Sequence, residues 1–162
     1  MSEQQPLFTI ERVYLKDMSL EMPHAPQIFL GKESPVVDVR LHNEAHPLDN
    51  GVFEVVLTAT ITAKLQEKTA FLVEVAQAGI FQIRNFDQAQ LDGAVNVTCP
   101  RILLPYAREA VSAVMTRAGL PPVLLPHVGF ESLYEQRQQG SQTPDASAPP
   151  PAAGASATPD VK

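Results

Sequence analysis

The segment Val52-Phe-Glu-Val-Val-Leu-Thr-Ala-Thr-Ile-Thr-Ala-Lys64 gives the clearest indication of the fold, because its side chains alternate in polarity with a period of two. The apolar residues share one parity and would point one way: Phe53, Val55, Leu57, Ala59, Ile61 and Ala63. The other parity is mostly charged or hydroxyl-bearing: Glu54, Thr58, Thr60, Thr62 and Lys64. Such alternation predicts a β-strand with one covered face and one solvated face, as in an antiparallel sheet.

The sequence that flanks this strand predicts a hairpin. Asn50-Gly51 before it is typical of a tight turn, because both residue types tolerate positive φ. A short polar connection after it leads into a second strand, from Thr69 to about Arg84. Alternation places two sets of side chains on opposite faces of that strand: Phe71, Val73 and Val75 on one, Leu72, Glu74 and Ala76 on the other.

Two earlier segments have weaker strand patterns. Residues 36–42 predict a short strand whose inward side chains are Val37, Val39 and Leu41. Residues 7–22 predict the first strand, and its later part has Met18, Leu20 and Met22 inward and Asp17, Ser19 and Glu21 outward. Val13 and Leu15 break the alternation, which a β-bulge or a second covered surface would explain.

The second half of the chain has a helical pattern. Apolar residues at i, i+3, i+4 spacing precede a natural stop at Gly119: Leu104, Ala107, Val111, Val114 and Ala118. Pro100 or Pro105 can occupy the first turn, so the start of this long helix stays open. Residues 119–129 predict an extended connection, and residues 131–139 a short helix. The fold class is therefore α+β: a four-stranded antiparallel sheet with a long and a short C-terminal helix packed against it.

Length and composition indicate one domain in the cytoplasm. Of the 162 residues, we assign 1–6 to a flexible N-terminus, 7–139 to the folded domain and 140–162 to a disordered Pro/Ala-rich tail. The formal net charge of −6 and the lack of clustered cations disfavour nucleic-acid binding. The N-terminus lacks the pattern of a signal peptide, and no apolar run approaches the roughly 20 residues of a membrane span. We therefore expect a cytoplasmic protein without direct membrane insertion.

The residues form no credible catalytic or metal-binding constellation. His24, His42, His46 and His127 show neither HxH nor HExxH spacing, and we interpret His42 and His46 as exposed residues of a turn. Cys99, the single cysteine, is interpreted as a small residue packed at a helix start. The sequence contains no GxSxG and no GxxxxGK[ST] motif. We therefore predict neither an enzyme nor a bound metal or cofactor.

Two features point to binding instead. Apolar residues in the extended segments 28–30 and 119–128 either cover the core or form a groove for extended hydrophobic segments of other chains. By strand parity, Asp17 and Glu21 share one face of the first strand, and Leu72 and Glu74 share one face of the fourth. These carboxylates are either merely solvated or form an acidic docking patch around an exposed leucine.

Four segments closely resemble the SecB family of export chaperones: Tyr14-Leu-Lys-Asp-Met-Ser-Leu-Glu-Met-Pro23, Thr69-Ala-Phe-Leu-Val-Glu-Val75, Gly79-Ile-Phe81 and Cys99-Pro-Arg-Ile-Leu-Leu-Pro-Tyr-Ala-Arg-Glu109. The last segment is the most specific, because its Cys-Pro and Leu-Pro-Tyr-Ala-Arg-Glu elements are correctly separated. The resemblance covers about residues 7–135 in the same order. The Pro/Ala-rich tail departs from the family.

The resemblance implies an ATP-independent holdase that binds unfolded preproteins and delivers them to the SecA motor. It also implies a homotetramer, a dimer of dimers, with the long helix at the interface between dimers. The residues it implies for SecA docking are Asp17, Glu21, Leu72 and Glu74. Candidates for the client groove are Met18, Met22, Ile28, Phe29, Leu120, Val123, Leu124 and Leu125, and candidates for the tetramer interface are Tyr106, Ala107, Val111 and Val114.

Two alternatives stay open at this point. One is a small-ligand-binding or thioesterase-like α+β protein, which would need a closed pocket with convergent polar groups. The other is a SecB-like chaperone dedicated to one partner, such as an antitoxin. The predicted motor-docking residues argue against the second alternative, because a dedicated chaperone has less need of them.

Overall fold

The computed structural model describes residues 5–140, which form one four-stranded sheet followed by three α-helices. The antiparallel strands β1 (Leu7–Glu21), β2 (Val36–Pro47), β3 (Val52–Leu65) and β4 (Lys68–Arg84) lie in the order β1-β4-β3-β2. The helices are α1 (Gln88–Gly93), α2 (Cys99–Arg117) and α3 (Phe130–Gly140). A 3-10 turn at Gln27–Phe29 follows β1, and a π-helical turn at Ala94–Thr98 joins α1 to α2. The predicted α+β class is confirmed, with α2 as the long helix and α3 as the short one.

The core lies between α2 and one face of the sheet, hereafter the inner face. Five of the alternating apolar residues of β3 are fully buried there: Val55, Leu57, Ala59, Ile61 and Ala63. Helix α2 approaches β4 so closely that a Cβ at Gly79 would lie 3.1 Å from Leu103 Cδ2, and it would also lie 2.7 Å from the ring of Phe81 on the same strand. The opposite face, hereafter the outer face, carries the residues of the other parity.

Strand β1 is an edge strand with two bulges. Its pairing with β4 shifts register between Ile10 and Arg12 and again between Leu15 and Asp17. The irregular alternation in the first strand is therefore explained by bulges, each of which adds one unpaired residue and reverses the parity of the strand.

Strand β2 is longer than the sequence predicts. It pairs with β3 continuously from Val36, opposite Lys64, to Pro47, opposite Phe53. The placement of His42 and His46 in a turn is wrong, because both belong to this strand and lie on the outer face. The polar residues 42–46 concealed the strand, since an edge strand tolerates charged side chains on its open side. Val37 lies on the inner-face side but is 39% exposed, because the end of the strand is uncovered.

The helical region begins earlier than the sequence predicts. Asp87 and Gln90 form a capping box at the start of α1, and Gly93 has helical backbone angles, so residues 88–98 are helical. Helix α2 itself begins at Cys99, with Pro100 in its first turn and Pro105 inside it. Gly119 has a φ of +72° and ends the helix as predicted.

The chain after α2 turns back and runs antiparallel to it. Arg108 Nη2 donates to the carbonyl oxygen of Pro126 at 2.9 Å, and Arg101 forms an ion pair with Glu131. Farther along, the Tyr134 hydroxyl donates to the Asp92 carboxylate, which ties α3 to α1. The predicted disordered tail, residues 140–162, lies outside the described residues except for Gly140, the last residue of α3.

Candidate functional site

The four predicted docking residues lie together on the outer face. In the β1–β4 register Glu21 pairs with Leu72, Ser19 pairs with Glu74 and Asp17 pairs with Ala76. Directly paired residues of antiparallel strands lie on the same face, so the four side chains form one patch on two neighbouring strands. We call Asp17, Glu21, Leu72 and Glu74 the acidic patch.

The acidic patch presents its charge to solvent. Asp17, Glu21 and Glu74 are exposed, and Leu72 is half-buried among them. Within residues 5–140 no ion pair neutralises the three carboxylates. Their one hydrogen bond to a side chain in this range is weak, from Thr60 Oγ1 to Glu74 Oε2 at 3.3 Å. Such a surface attracts a basic partner by electrostatic steering.

A polar cluster next to the acidic patch escaped the sequence analysis. Lys16 Nζ lies 2.8 Å from both carboxylate oxygens of Glu54, and the Tyr14 hydroxyl donates to the same carboxylate. The hydrogen bonds from Lys16 and Tyr14 hold the pKa of Glu54 below its usual value, whereas the bond to Glu54 raises the pKa of Tyr14 to about 12. No sequence motif signals this cluster, because β1 and β3 are not adjacent and the contact spans β4 at the small residue Ala78.

A mostly apolar cleft lies near the turn between β3 and β4. Its volume is about 250 Å³, and its walls are His24, Gln27, Ile28, Leu65, Lys68, Thr69 and Ala70. His24 Nδ1 lies 3.0 Å from the Thr69 carbonyl oxygen and fastens the segment after β1 to β4. Ile28 is partly buried in this wall, whereas Phe29 is 51% exposed and Leu30 is 82% exposed. The cleft therefore ends beside two apolar side chains that residues 5–140 leave half or more exposed.

The remaining client-groove candidates differ in accessibility. Met18 is 39% exposed on the inner-face side of β1, and Met22 is partly buried against the core. In the connection after α2, Leu124 is 83% exposed, and Leu120 and Val123 pack partly against the core. The structure contradicts the candidate Leu125: only 4% of it is exposed, because it fills the core, so it has no surface to offer a client. No residue of this connection lines the cleft at Ile28.

The four tetramer-interface candidates also differ in accessibility. Ala107, Val111 and Val114 are buried against the sheet of their own protomer, so their assignment to an intersubunit surface is wrong. Tyr106 is 51% exposed and lies on the opposite, open side of α2 with Glu109. Periodicity detected a covered stripe on α2, but it could not tell which chain covers the stripe.

Strand β1 presents further uncovered apolar surface. Ile10 and Leu15 are each 45% exposed, and with Met18 they pair with the inner-face residues Phe81, Gln77 and Val75 of β4. Within residues 5–140, one backbone edge of β1 has no strand partner, and these three side chains on its inner-face side remain exposed. Large apolar side chains on an open edge are typical of a surface that another chain covers.

Neither a reactive thiol nor a cluster of metal ligands is present among residues 5–140. Cys99 is fully buried, and burial raises the pKa of its thiol to about 12, so the neutral thiol is strongly favoured. Residues 5–140 contain no cluster of three or more His, Cys, Asp or Glu side chains suited to a metal ion. In the same range, no helix combines the length and apolarity needed to span a membrane.

Comparisons with known proteins agree with the sequence resemblance. A family model described as "SecB: Preprotein translocase subunit SecB" matches residues 1–141. The Protein-export protein SecB of Methylobacillus flagellatus is 60% identical over 137 residues, which are 85% of this chain and 87% of that protein. The protein of the same name from Chromobacterium violaceum is 57% identical over 150 residues, which are 90% of this chain and 100% of that protein.

The fold has a counterpart among solved structures. A SecB-like chaperone of Mycobacterium tuberculosis, in complex with a ChAD peptide from an antitoxin, superimposes with a TM-score of 0.60. The match covers 75% of this chain and 91% of that chain at 19% identity, so it bears on the fold alone.

Proposed function

This chain belongs to the SecB family, and we propose that it acts in the cytoplasm as an ATP-independent holdase that delivers unfolded preproteins to the SecA motor. As a family member it is a chaperone of protein export and not an enzyme, which sets aside the ligand-binding alternative. We also propose which surface of this chain docks SecA and which surfaces bind the client.

The acidic patch is the proposed docking site for SecA. Asp17, Glu21 and Glu74 present three carboxylates around Leu72 on one solvated face, and none of them has an ion-pair partner among residues 5–140. This arrangement supports the proposal, because a basic partner gains steering from the carboxylates and buried apolar area from the leucine. The position of the patch on the outer face, away from α2, is the observation that carries the two-surface proposal.

Client binding is assigned to the uncovered apolar residues on the other surfaces. Phe29, Leu124 and Met18 are the accessible anchors, with Met22, Ile28, Leu120 and Val123 partly buried beside them. Each buried apolar segment of a client contributes about 25 cal/mol per Å². One segment binds weakly after ordering costs, but several sites on one assembly raise the effective concentration and slow release. A folded protein has already buried such segments. Exposed apolar surface alone therefore distinguishes an unfolded client from a folded one, and this selection requires no nucleotide.

A homotetramer, built as a dimer of dimers, would supply those multiple sites. Ile10, Leu15 and Met18 on the open edge strand support one subunit contact, which continues the sheet into a second copy. The exposed side of α2, with Tyr106 and Glu109, supports the other contact in place of the buried residues of that helix.

Charge reversal in the acidic patch tests the docking proposal. Asp17→Lys with Glu74→Lys should abolish SecA binding, measured by isothermal titration calorimetry, and leave binding of an unfolded preprotein unchanged. The matched control is Asp38→Lys with Glu44→Lys, which makes the same charge change on the outer face of β2. The control should retain SecA binding. Equal loss of client and SecA binding in the patch variant would sink the two-surface proposal.

A further inference from the structure

We infer that Glu54 is a positioning residue for SecA docking, because its carboxylate holds the Lys16 ammonium group away from the acidic patch and so preserves the negative charge of the patch. Glu54 belongs to β3 and is not part of the patch itself. The consequence for SecA binding rests on the function proposed above, whereas the carboxylate that Lys16 contacts can be identified without SecA.

Lys16 is the cation nearest to the acidic patch. The β1–β4 pairing passes from Leu15 directly to Asp17, so Lys16 is the extra residue of a bulge. The side chain of Lys16 reaches Glu54 on the outer face, and Asp17 lies on the same face. Lys16 and Asp17 are therefore consecutive residues with side chains on one face, which does not occur in a regular strand.

An ammonium group at this place is able to neutralise part of the patch. Consecutive Cα atoms are about 3.8 Å apart, and lysine carries its charge on a flexible four-carbon stem. The Lys16 ammonium group is therefore within reach of the carboxylates of Asp17 and, on the neighbouring strand, Glu74. A cation bound there would cancel one of the three charges of the patch and would repel the basic groups of SecA.

The structure places this ammonium group on Glu54 instead. Lys16 Nζ lies 2.8 Å from both carboxylate oxygens of Glu54, and the Tyr14 hydroxyl donates to the same carboxylate. The Glu54 side chain is 14% exposed, whereas the patch carboxylates are exposed to solvent. Water and salt screen the partly buried pair less than they would screen a pair with Asp17, so Lys16 is held by Glu54.

Arg40, another outer-face cation, is also ion-paired outside the patch. Arg40 faces Thr60 on β3, and Thr60 faces Glu74 on β4, so Arg40 lies two strands from the patch. Its Nε lies 2.9 Å from Asp38 Oδ2, and both side chains are well exposed. Exposed pairs of this kind contribute little. The shielded pair beside the patch makes Glu54 the residue that protects its charge.

Carbodiimide crosslinking identifies the carboxylate that Lys16 contacts, because this reagent joins an amine to a carboxylate only where the two groups touch. In the unchanged protein, peptide mass spectrometry should find an amide between Lys16 and Glu54. In Glu54→Leu, Lys16 should be crosslinked to Asp17 or Glu74 instead. If that variant does not fold, Glu54→Gln is measured in the same way. A folded variant without a crosslink from Lys16 to the patch would overturn the inference.

Isothermal titration calorimetry with SecA measures the consequence for docking. Glu54→Leu should lower the affinity for SecA about fivefold, because Lys16 then neutralises a patch carboxylate. The matched control is Glu44→Leu, which makes the same substitution on the outer face of β2, where the carboxylate contacts His42 and no lysine. The control should lower the affinity by less than about twofold. Binding of an unfolded preprotein should stay unchanged in both variants.

Removal of Lys16 separates this role of Glu54 from general stabilisation. Glu54→Leu with Lys16→Gln should regain the SecA affinity of the unchanged protein, because no ammonium group remains beside the patch. Glu54→Leu with Lys32→Gln has the same net charge but keeps Lys16, so its affinity should stay about fivefold lower. Equal recovery in both variants, or in neither, would contradict the inference. Failure of the unchanged protein to bind SecA would refute the docking proposal and leave the crosslinking result standing.

Discussion

Glu54 is the residue that most clearly links local chemistry to the shape of the outer face. Its side chain is 14% exposed and ion-paired to Lys16 across an intervening strand, so part of the pair is shielded from water. Charge-assisted hydrogen bonds of this kind are about twice as strong as neutral ones. The pair therefore contributes to the stability of the edge strand.

The lowered pKa of Glu54 predicts a pH-dependent contribution to stability. A carboxyl group whose pKa is lower in the folded state stabilises the protein above the unfolded value, near 4.5, and this contribution is lost as the pH falls through the folded value. Glu54→Gln should reduce the free energy of unfolding by about 1 to 2 kcal/mol at neutral pH. Urea unfolding at fixed protein concentration should show this difference shrinking below about pH 4.5. A difference of the same size at every pH would contradict the assignment.

Single residues also show where sequence analysis stops. The alternating residues of β3 could be identified because burial follows from polarity and position in one strand. Glu54 could not be grouped with Tyr14 and Lys16, because it is 40 and 38 residues away from them in sequence. Only the strand order β1-β4-β3 brings the three side chains together. Leu125 was misplaced for a similar reason, since a proline-rich connection does not reveal which of its apolar residues faces the core.

At the scale of elements, the accuracy of the sequence predictions depended on the strength of the local pattern. The hairpin of β3 and β4 and the end of α2 at Gly119 were predictable because alternation and glycine chemistry are local. The second half of β2 and all of α1 were missed, because the mostly polar residues there show neither the alternation of a strand nor the i, i+3, i+4 spacing of a helix. Tertiary pairing with β3 and a capping box at Asp87 form these elements instead.

Alanine substitutions at two glycines should change the stability of the protein in opposite directions. Gly119 has a φ of +72°, so Gly119→Ala should destabilise the protein by about 1 kcal/mol through backbone strain. Gly93 has a φ of −62° within the helical region, so Gly93→Ala should stabilise it by about 0.5 to 1 kcal/mol. A Cβ at either position meets no atom within 4 Å, so packing does not confound the pair. Thermal or urea unfolding measures both changes, and shifts of equal sign would refute the helix boundaries.

In the whole molecule, the proposed sites for SecA docking and for client binding lie on different surfaces. The acidic patch lies on the outer face, whereas Phe29 and Leu124 lie in connections outside the sheet. Residues 5–140 of one protomer leave the edge of β1 and the Tyr106 side of α2 open, and the proposed tetramer would cover both while keeping the outer face free. The sequence indicated each surface, but only the tertiary structure separates residues with accessible area from residues that the core has already buried.

Holdase activity can be measured by diluting a urea-unfolded preprotein into the protein without nucleotide and determining the mass of the products by size-exclusion chromatography with light scattering. We expect a tetramer that forms a heavier complex with the unfolded client and does not bind the folded one. Phe29→Ser with Leu124→Ser should reduce the amount of client complex. Leu48→Ser is the matched control and should not reduce it, because Leu48 is 56% exposed but lies in the turn between β2 and β3, outside the proposed client sites. A monomer, or a protein that lets the client aggregate, would contradict the account.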